Sequence, residues 1–185
     1  MFGNLGNRIV SSIASLTALV FSSYHGNEAH FSDLDLHLRE ERLTIECRLQ
    51  EAFDHDFEEF FRSGKPINVW FVMQVRSGNE LVREEFFYHR VEYDPLTMYY
   101  EVYIHEDQNN IVATSYAELL RTVEDFEYSI NLLELDTANS LEVTLTAYLA
   151  DIKLDTMAQP FDLMLLWNFK RPVVKKRFTI DELET

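Results

Sequence analysis

The chain has 185 residues, of which 46% are hydrophobic and 14% aromatic, and its 32 acidic and 16 basic residues give a formal charge of -16. This length and this apolar content are typical of one globular domain with a substantial core. The negative charge repels phosphate backbones, so non-specific binding of nucleic acid is excluded from the expected functions.

The first thirty residues contain an apolar stretch that could direct the protein to a membrane. Arg8 precedes an apolar stretch, residues 9–21, that is short for a membrane span and has the length of the hydrophobic region of a signal peptide. The stretch also contains Ser and Thr, and an amphipathic helix would place Ile9, Ile13, Leu16 and Val20 on one stripe. We expect residues 1–30 to be a targeting or amphipathic segment through which the protein associates with a membrane. The expected location is periplasmic or membrane-associated, with the cytoplasm as the alternative.

Alternating apolar and polar residues predict a first β-hairpin. The alternation runs through residues 34–38, stops at a charged turn over residues 39–42 and resumes over residues 43–49. Cys47, the single cysteine, lies in the second of these strands, so no internal disulfide can form. Its place in the alternation is typical of a small buried hydrophobic residue.

The middle of the chain predicts a short helix followed by a meander. Gly64 and Pro66 end a segment that carries four phenylalanines at helical spacing, namely Phe53, Phe57, Phe60 and Phe61. Residues 67–75 then form a strand with apolar side chains on both faces, which favours a central position in a sheet. Tight reversals at residues 77–79 and 94–95 lead into further strands, and such short connections allow only antiparallel neighbours.

The second half adds a capped helix and a late strand. Ser115 and Glu118 have the spacing of a capping box, which predicts a helix from Tyr116 to about Phe126. Residues 141–149 alternate cleanly as a strand, whereas residues 161–167 fit either a final strand or a short closing helix. The predicted fold is mainly β: an antiparallel sheet or sandwich over residues 31–169 with two short packed helices. A cluster of Lys and Arg marks residues 170–185 as a charged C-terminal tail.

No local motif for catalysis occurs in the sequence. Phosphate-binding loops need closely spaced glycines, and the zinc-protease and hydrolase motifs H-E-x-x-H and G-x-S-x-G are absent. The segment 54–56 and the pair Glu85 and His89 are the least weak seeds of a metal site, but a helix N-terminus and ordinary strand spacing explain them. We therefore expect no enzyme activity, no catalytic residue, no cofactor and no metal.

Aromatic residues around 86–103 suggest a binding surface. They alternate onto both faces of adjoining strands, and only one face can belong to the main core. The other face would expose tyrosines of the kind enriched at protein interfaces, unless the capped helix packs on it. The residues proposed for this interface are Phe87, Tyr93, Tyr99 and Tyr103.

Three segments resemble a bacterial family known only as a domain of unknown function. They are YHRVEYDPLTMYYEVYI (88 to 104), SYAELLRTVEDF (115 to 126) and LTAYLADIKLDTMAQPFDLMLLW (145 to 167). The resemblance covers most of residues 31–169. It implies an N-terminal membrane-targeting segment, genes beside a nitrogen-regulation-type sensor kinase and hence the cell envelope. It implies no catalytic residue for any position.

Two functions from different classes follow from these observations. The favoured hypothesis is a non-catalytic cell-envelope domain that binds a protein partner of unknown identity. The alternative is a carrier or sensor domain for a small or lipidic ligand held between sheet and helix. An aromatic surface closed by side chains would favour the first function, and an enclosed apolar cavity would favour the second.

Overall fold

A computed structural model describes residues 26–54, 57–135, 140–153 and 159–183. The strands in these ranges are β1 (His30–Phe31), β2 (Asp35–Arg39), β3 (Arg42–Gln50), β4 (Ile67–Ser77), β5 (Glu80–Asp94), β6 (Tyr99–Ile104), β7 (Asn109–Ala113), β8 (Asp125–Asn131), β9 (Leu141–Leu149) and β10 (Val173–Phe178). The helices are α1 (Phe57–Phe61), α2 (Tyr116–Glu124) and α3 (Ile180–Leu183), with short 3₁₀ helices at Leu132–Glu134 and Leu163–Trp167. The prediction of a mainly antiparallel β fold with short helices is confirmed.

Six strands form the larger sheet, in the order β10-β9-β4-β5-β6-β7. Every neighbouring pair is antiparallel, and β4, β5, β6 and β7 follow one another as the predicted meander. The predicted reversal at residues 77–79 is a two-residue turn of Gly78 and Asn79, and Gly78 has a φ of 58°. The strand β4 lies between β9 and β5, which confirms its predicted central position.

A smaller sheet is built around β3. The predicted hairpin of β2 and β3 is confirmed, and β1 and β8 also pair with β3 in antiparallel fashion. The strand β8 is not predicted from the sequence, because the predicted helix continues to about Phe126. The helix α2 instead ends at Glu124, and the extended backbone of Asp125 starts the strand at once.

Aromatic side chains join the two sheets into a sandwich. Phe126 of β8 lies 5.3 Å from Phe71 of β4, and Tyr128 of β8 lies 4.6 Å from Phe87 of β5, measured between ring centroids. These contacts define the inner face of the larger sheet. Because side chains alternate along a strand, the residues next to Phe71 and Phe87 lie on the opposite, outer face.

The helix α2 covers part of the inner face. Its Leu119 and Val123 are fully buried, and His89 of β5 binds the backbone carbonyl of Val123. The predicted cap is present in a modified form. The Ser115 hydroxyl accepts a hydrogen bond from the Glu118 N–H, while the Glu118 carboxylate accepts one from the N–H of Thr114 rather than of Ser115.

The β-rich domain extends beyond both ends of its predicted range, residues 31–169. Asn27 is buried, donates its backbone N–H to the Leu166 carbonyl and donates its side-chain amide to the Ala52 carbonyl, so the body already includes residues before 31. The rest of the predicted targeting segment, residues 1–25, lies outside the described residues.

At the other end, the expectation of a charged tail over residues 170–185 is wrong for β10 and α3. The strand β10 pairs along its whole length with β9, and its Phe178 is buried. The physical reason is that lysines are common on edge strands, where they stay solvated and discourage further strand pairing. Within the described part of the chain, no helix is long and apolar enough to cross a membrane.

Candidate functional site

A row of aromatic side chains crosses the outer face of the larger sheet. The Trp70 ring on β4 lies 5.0 Å from the Tyr88 ring on β5 and 6.1 Å from the Tyr148 ring on β9. Tyr103 on β6 continues the row at 5.7 Å from Tyr88. The register places Trp70 directly opposite both Tyr88 and Tyr148, so cross-strand pairing brings the rings together.

A second row lies two residues further along the same strands. Val72 on β4 is opposite Phe86 on β5 and Thr146 on β9, and Thr146 is in turn opposite Val173 on β10. Phe86 is 51% exposed and Val173 is 52% exposed. We call the two rows together the outer patch, which consists of Trp70, Val72, Phe86, Tyr88, Tyr103, Thr146, Tyr148 and Val173.

The helices that contact the larger sheet reach it from the inner side. The helix α2 contacts the sheet through His89. The residue that follows α1, Arg62, places its guanidinium 5.7 Å from the Tyr93 ring. Both His89 and Tyr93 are in phase with Phe87 on the inner face. The outer patch therefore keeps its exposure to solvent in the described part of the structure.

Charged side chains surround the outer patch. The Arg171 guanidinium stacks 5.1 Å from the Tyr148 ring, and Lys175 and Arg177 point outward from β10. On the opposite side, Glu92 and Glu101 are exposed and directly opposite each other. A depression of about 380 Å³ on that side is lined by Tyr88, Arg90, Glu92, Glu101, Tyr103 and Asn110. Protein interfaces typically combine an aromatic-rich centre with a polar rim.

The four residues proposed from the sequence do not share one surface. Phe87 is only 4% exposed and packs against the smaller sheet, so it is not accessible to a partner. Tyr93 lies half-buried on the inner face beside Arg62. Tyr99 and Tyr103 lie on the outer face, and only Tyr103 belongs to the outer patch. The idea that α2 covers the exposed tyrosines is also wrong, because α2 packs on the inner face.

The interface proposed from the sequence does not include Trp70, Phe86, Tyr88 or Tyr148, although Phe86 and Tyr88 belong to the aromatic segment 86–103 from which it was chosen. The apolar character of both faces of β4 was interpreted only as a sign of a central strand. Alternation along the strands could have located these residues. Once Phe71 and Phe87 are assigned to the core, their sequence neighbours must lie on the opposite face. Tyr148 also stands out, because it is the one aromatic residue on the outward phase of β9.

A buried polar pair lies on the inner face. His89 has no exposed surface, and its Nε2 lies 2.7 Å from Oε1 of Glu106, whose side chain is 2% exposed. The Nδ1 lies 2.9 Å from the Val123 carbonyl, and a carbonyl only accepts, so Nδ1 carries a proton and donates it. Both ring nitrogens are thus used to join β5, α2 and the turn after β6.

A charged cleft opens beside this pair. It has a volume of about 520 Å³ and its lining includes Asp35, Glu46, Arg48, Glu106, Arg121, Asp125 and Glu127. Arg48 lies 2.9 Å from Glu124 and 3.5 Å from Asp125. Burial raises the pKa of Glu124, and the hydrogen bond from Arg48 partly opposes this effect.

The residues considered for a metal site or a reactive thiol have structural roles where the structure describes them. Glu85 forms an ion pair with Arg83 at 2.9 Å, and His89 is held by Glu106, so the pair suggested by spacing does not converge. His55 and Asp56 lie outside the described residues. Among the residues that are described, no three His, Cys, Asp or Glu side chains are grouped to hold a metal ion. Cys47 is buried, as predicted, and desolvation raises the pKa of its thiol to about 12.

Comparison with known proteins gives one match. No curated protein and no solved structure matches the chain. A family model described as a domain of unknown function (DUF4390) matches residues 26–175. These residues include the smaller sheet, the larger sheet except the end of β10, the outer patch and the buried pair of His89 and Glu106. The chain therefore belongs to the DUF4390 family.

Proposed function

We propose that this protein is a non-catalytic domain of the cell envelope that binds a protein partner through the outer patch. The observation that carries the proposal is the aromatic row of Trp70, Tyr88, Tyr103 and Tyr148, which none of the helices in the described ranges covers. Cross-strand pairing stabilises such a row but does not require Phe86 and Val173 beside it to be half exposed. Adjacent apolar side chains on one exposed face are typical of an interaction site.

The chemistry of the patch favours protein over nucleic acid. The rim carries both signs of charge, with Arg171 and Lys175 on one side and Glu92 and Glu101 on the other. A phosphate backbone would be attracted to one side and repelled by the other. A folded protein can present opposite charges to both sides and can bury the Trp and Tyr rings in the centre.

The geometry gives less support to a ligand carrier. The space between α2 and the larger sheet is occupied by Leu119 and Val123, which are fully buried. The cleft of about 520 Å³ is open and is lined mainly by charged side chains. A lipidic ligand needs a predominantly apolar cavity.

The absence of a catalytic role is inferred from how the polar groups are used. His89 commits both ring nitrogens to Val123 and Glu106, so neither nitrogen is left to activate a hydroxyl or thiol nucleophile. The thiol of Cys47 is held in its neutral form by burial.

Envelope location rests on the sequence of the N-terminal segment and on the resemblance described above. Arg8 followed by apolar residues 9–21 has the order found in export signals. We expect a reporter enzyme fused after residue 30 to be exported. If the fusion stays in the cytoplasm at the level of a fusion without residues 1–30, the envelope assignment is wrong.

Binding through the outer patch can be tested by photo-crosslinking in cells. Benzoylphenylalanine in place of Phe86 keeps an aromatic ring in the patch. The control position is Leu133, which lies in the 3₁₀ helix after β8 and is 83% exposed. We expect a discrete crosslinked protein adduct from position 86 and none from position 133. The adduct should disappear when Trp70→Ala is added, because that change removes the centre of the row. Equal adducts at both positions, or none at position 86, would contradict the proposal.

A further inference from the structure

Two adjoining depressions follow the strand β8 of the smaller sheet. The charged cleft of about 520 Å³ is lined by residues 125–127 of β8, and a second depression of about 240 Å³ is lined by residues 127–129. Glu106 and Asp107, from the turn after β6, line both. Within the described ranges β8 pairs only with β3, so its other edge has no partner strand there. We call the two depressions together the β8 groove.

Three acidic side chains form a row across the smaller sheet and line this groove. Asp35 on β2 is directly opposite Glu46 on β3, and Glu46 is directly opposite Glu127 on β8. Like charges in such positions destabilise a sheet. In the next row Arg48 and Asp125 form an ion pair at 3.5 Å, whereas none of the three acids forms an ion pair with a residue that the structure describes. The row therefore lacks a counter-charge.

The groove as a whole is acidic. Its larger depression is lined by six acids and two bases, namely Asp35, Glu46, Glu106, Asp107, Asp125, Glu127, Arg48 and Arg121. Arg48 is already paired with Glu124 and Asp125. The formal charge of -16 adds a long-range field that attracts a cationic partner and repels an anionic one. Charge complementarity therefore selects a basic ligand.

A buried carboxylate oxygen in the groove lacks a partner. The Glu106 side chain is 2% exposed, and its Oε1 lies 2.7 Å from Nε2 of His89. Its Oε2 is also buried and has no hydrogen-bond partner in the described part of the chain. An unpaired buried acceptor is unfavourable, so this oxygen is complementary to a donor brought by a ligand. Because Glu106 lines both depressions, such a donor reaches it through the groove.

We propose that the β8 groove binds an extended, Lys- or Arg-rich segment of a partner protein, which adds to β8 as a further strand. An open strand edge supplies main-chain N–H and C=O groups for this addition, and the side chains beside it select the sequence that binds. A cation directly opposite Glu127 on the added strand would give the row of acids the counter-charge that it lacks. The inference does not depend on the outer patch, which lies on the other sheet.

The groove fits a short segment. Residues 125–129 of β8 have the length of a typical strand, about five residues. At one end, the Arg42 guanidinium donates a hydrogen bond of 3.2 Å to the Ser129 carbonyl, so the added strand would end there. At the other end α2 leads directly into β8, and its residues Arg121 and Thr122 line the groove. About five residues of the partner would therefore pair with β8.

Binding of labelled peptides to the full-length chain tests the inference. The probe is a fluorescent peptide of about eight residues in which Arg alternates with Thr, because alternate side chains of a strand point to one face. The control peptide has Glu in place of Arg. We expect saturable binding of the Arg-Thr peptide in fluorescence anisotropy and no binding of the Glu-Thr peptide.

A third peptide separates strand addition from charge attraction. Methylation of the backbone nitrogens of the Arg-Thr peptide keeps its positive charge and removes its main-chain donors. We expect its dissociation constant to be at least about tenfold higher than that of the unmethylated peptide. Hydrogen exchange should also slow in β8 when the Arg-Thr peptide binds, and not in β7, an edge strand of the larger sheet.

A matched pair of variants locates the site. Glu46→Gln with Glu127→Gln removes two charges of the acidic row and should leave the chain folded, because it relieves like-charge repulsion. Glu59→Gln with Glu80→Gln removes the same charge from two exposed acids outside the groove. We expect the first variant to raise the dissociation constant of the Arg-Thr peptide at least about tenfold and the second to change it by less than about twofold. Circular dichroism checks that both variants keep their strand content.

Three results would overturn the inference. No saturable binding of the Arg-Thr peptide at up to about 1 mM would show that the groove does not recognise a basic segment. Equal losses in the two double variants would show that the attraction is general to the acidic chain. A methylated peptide that binds as well as the unmethylated one would show that no strand is added to β8.

Discussion

Phe86 and Phe87 are neighbours on β5 with the same side chain and opposite environments. Phe87 is 4% exposed and packs against Tyr128 and Phe126 of the smaller sheet, whereas Phe86 is 51% exposed on the outer face. Trp70 and Phe71 repeat this contrast on β4. Both faces of the larger sheet carry aromatic side chains here, and among the described residues only the inner face is covered by a second layer.

The contrast separates stability from recognition. On the inner face, aromatic rings are surrounded by protein, so their removal leaves cavities. On the outer face, the rings contact one another along the row and are half exposed in the part of the chain that the structure describes. We infer that substitutions on the inner face change the free energy of unfolding, while those on the outer face change binding.

The largest effect is expected from a matched pair of truncations. Phe87→Ala should lower the free energy of unfolding by about 3 to 5 kcal/mol, because it removes a buried ring between the two sheets. Phe86→Ala makes the same chemical change one residue away and should cost at most about 1 kcal/mol through lost cross-strand contacts. Urea unfolding followed by circular dichroism measures both values. Similar losses in the two variants would mean that the outer face is covered.

Removing a polar group should lower the free energy of unfolding by less than Phe87→Ala does, and by different amounts on the two faces. Glu106→Ala leaves Nε2 of His89 buried without a partner, which should cost about 1 to 3 kcal/mol of unfolding free energy. Glu106→Gln retains a hydrogen-bonding side chain at this position and should cost less. On the outer face, Tyr88→Phe removes a hydroxyl from a half-exposed ring and should change stability by less than about 0.5 kcal/mol.

The result for Glu106 distinguishes a structural pair from an incidental contact. If Glu106→Ala and Tyr88→Phe have equal effects in the same urea titration, the hydrogen bond between His89 and Glu106 does not hold the turn after β6 onto the sheet. The inner face would then tolerate an unpaired polar group as readily as the outer face does.

Much of the larger sheet could be predicted from local sequence. Tight reversals at Gly78-Asn79 and Asp94-Pro95 require antiparallel neighbours, and the predicted meander forms around them. The strand β8 could not be predicted in the same way. It follows α2 without a turn residue, and it pairs with β3, which lies some eighty residues earlier in the chain.

The aromatic composition of the candidate surface could be predicted from the sequence, but the face of the sheet that carries it could not. The aromatic composition around residues 86–103 indicated an interface, yet Phe87 was assigned to it and Phe86 was not. The sequence contains the alternation but does not say which phase faces the smaller sheet, because aromatic residues occupy both phases. The phase is decided by tertiary packing of Phe126 and Tyr128 against β5.

The smallest effect is expected at the cap of α2, the helix that covers the inner face. Hydrogen bonds from the N–H and the hydroxyl of Thr114 lower the pKa of the Glu118 carboxyl from its ordinary value of 4.5. A carboxyl whose pKa is lower in the folded state stabilises the fold above the unfolded-state pKa and loses that contribution as the pH falls through the folded-state value. The unmodified chain should therefore be slightly more stable than Glu118→Gln at pH 7, and the difference should shrink as the pH falls below 4.5. Urea titrations of both chains between pH 7 and pH 3 measure this difference, with Glu59→Gln on α1 as the control for a generic loss of charge. A difference that stays constant over the whole range would show that the Glu118 carboxylate does not cap the helix through its charge.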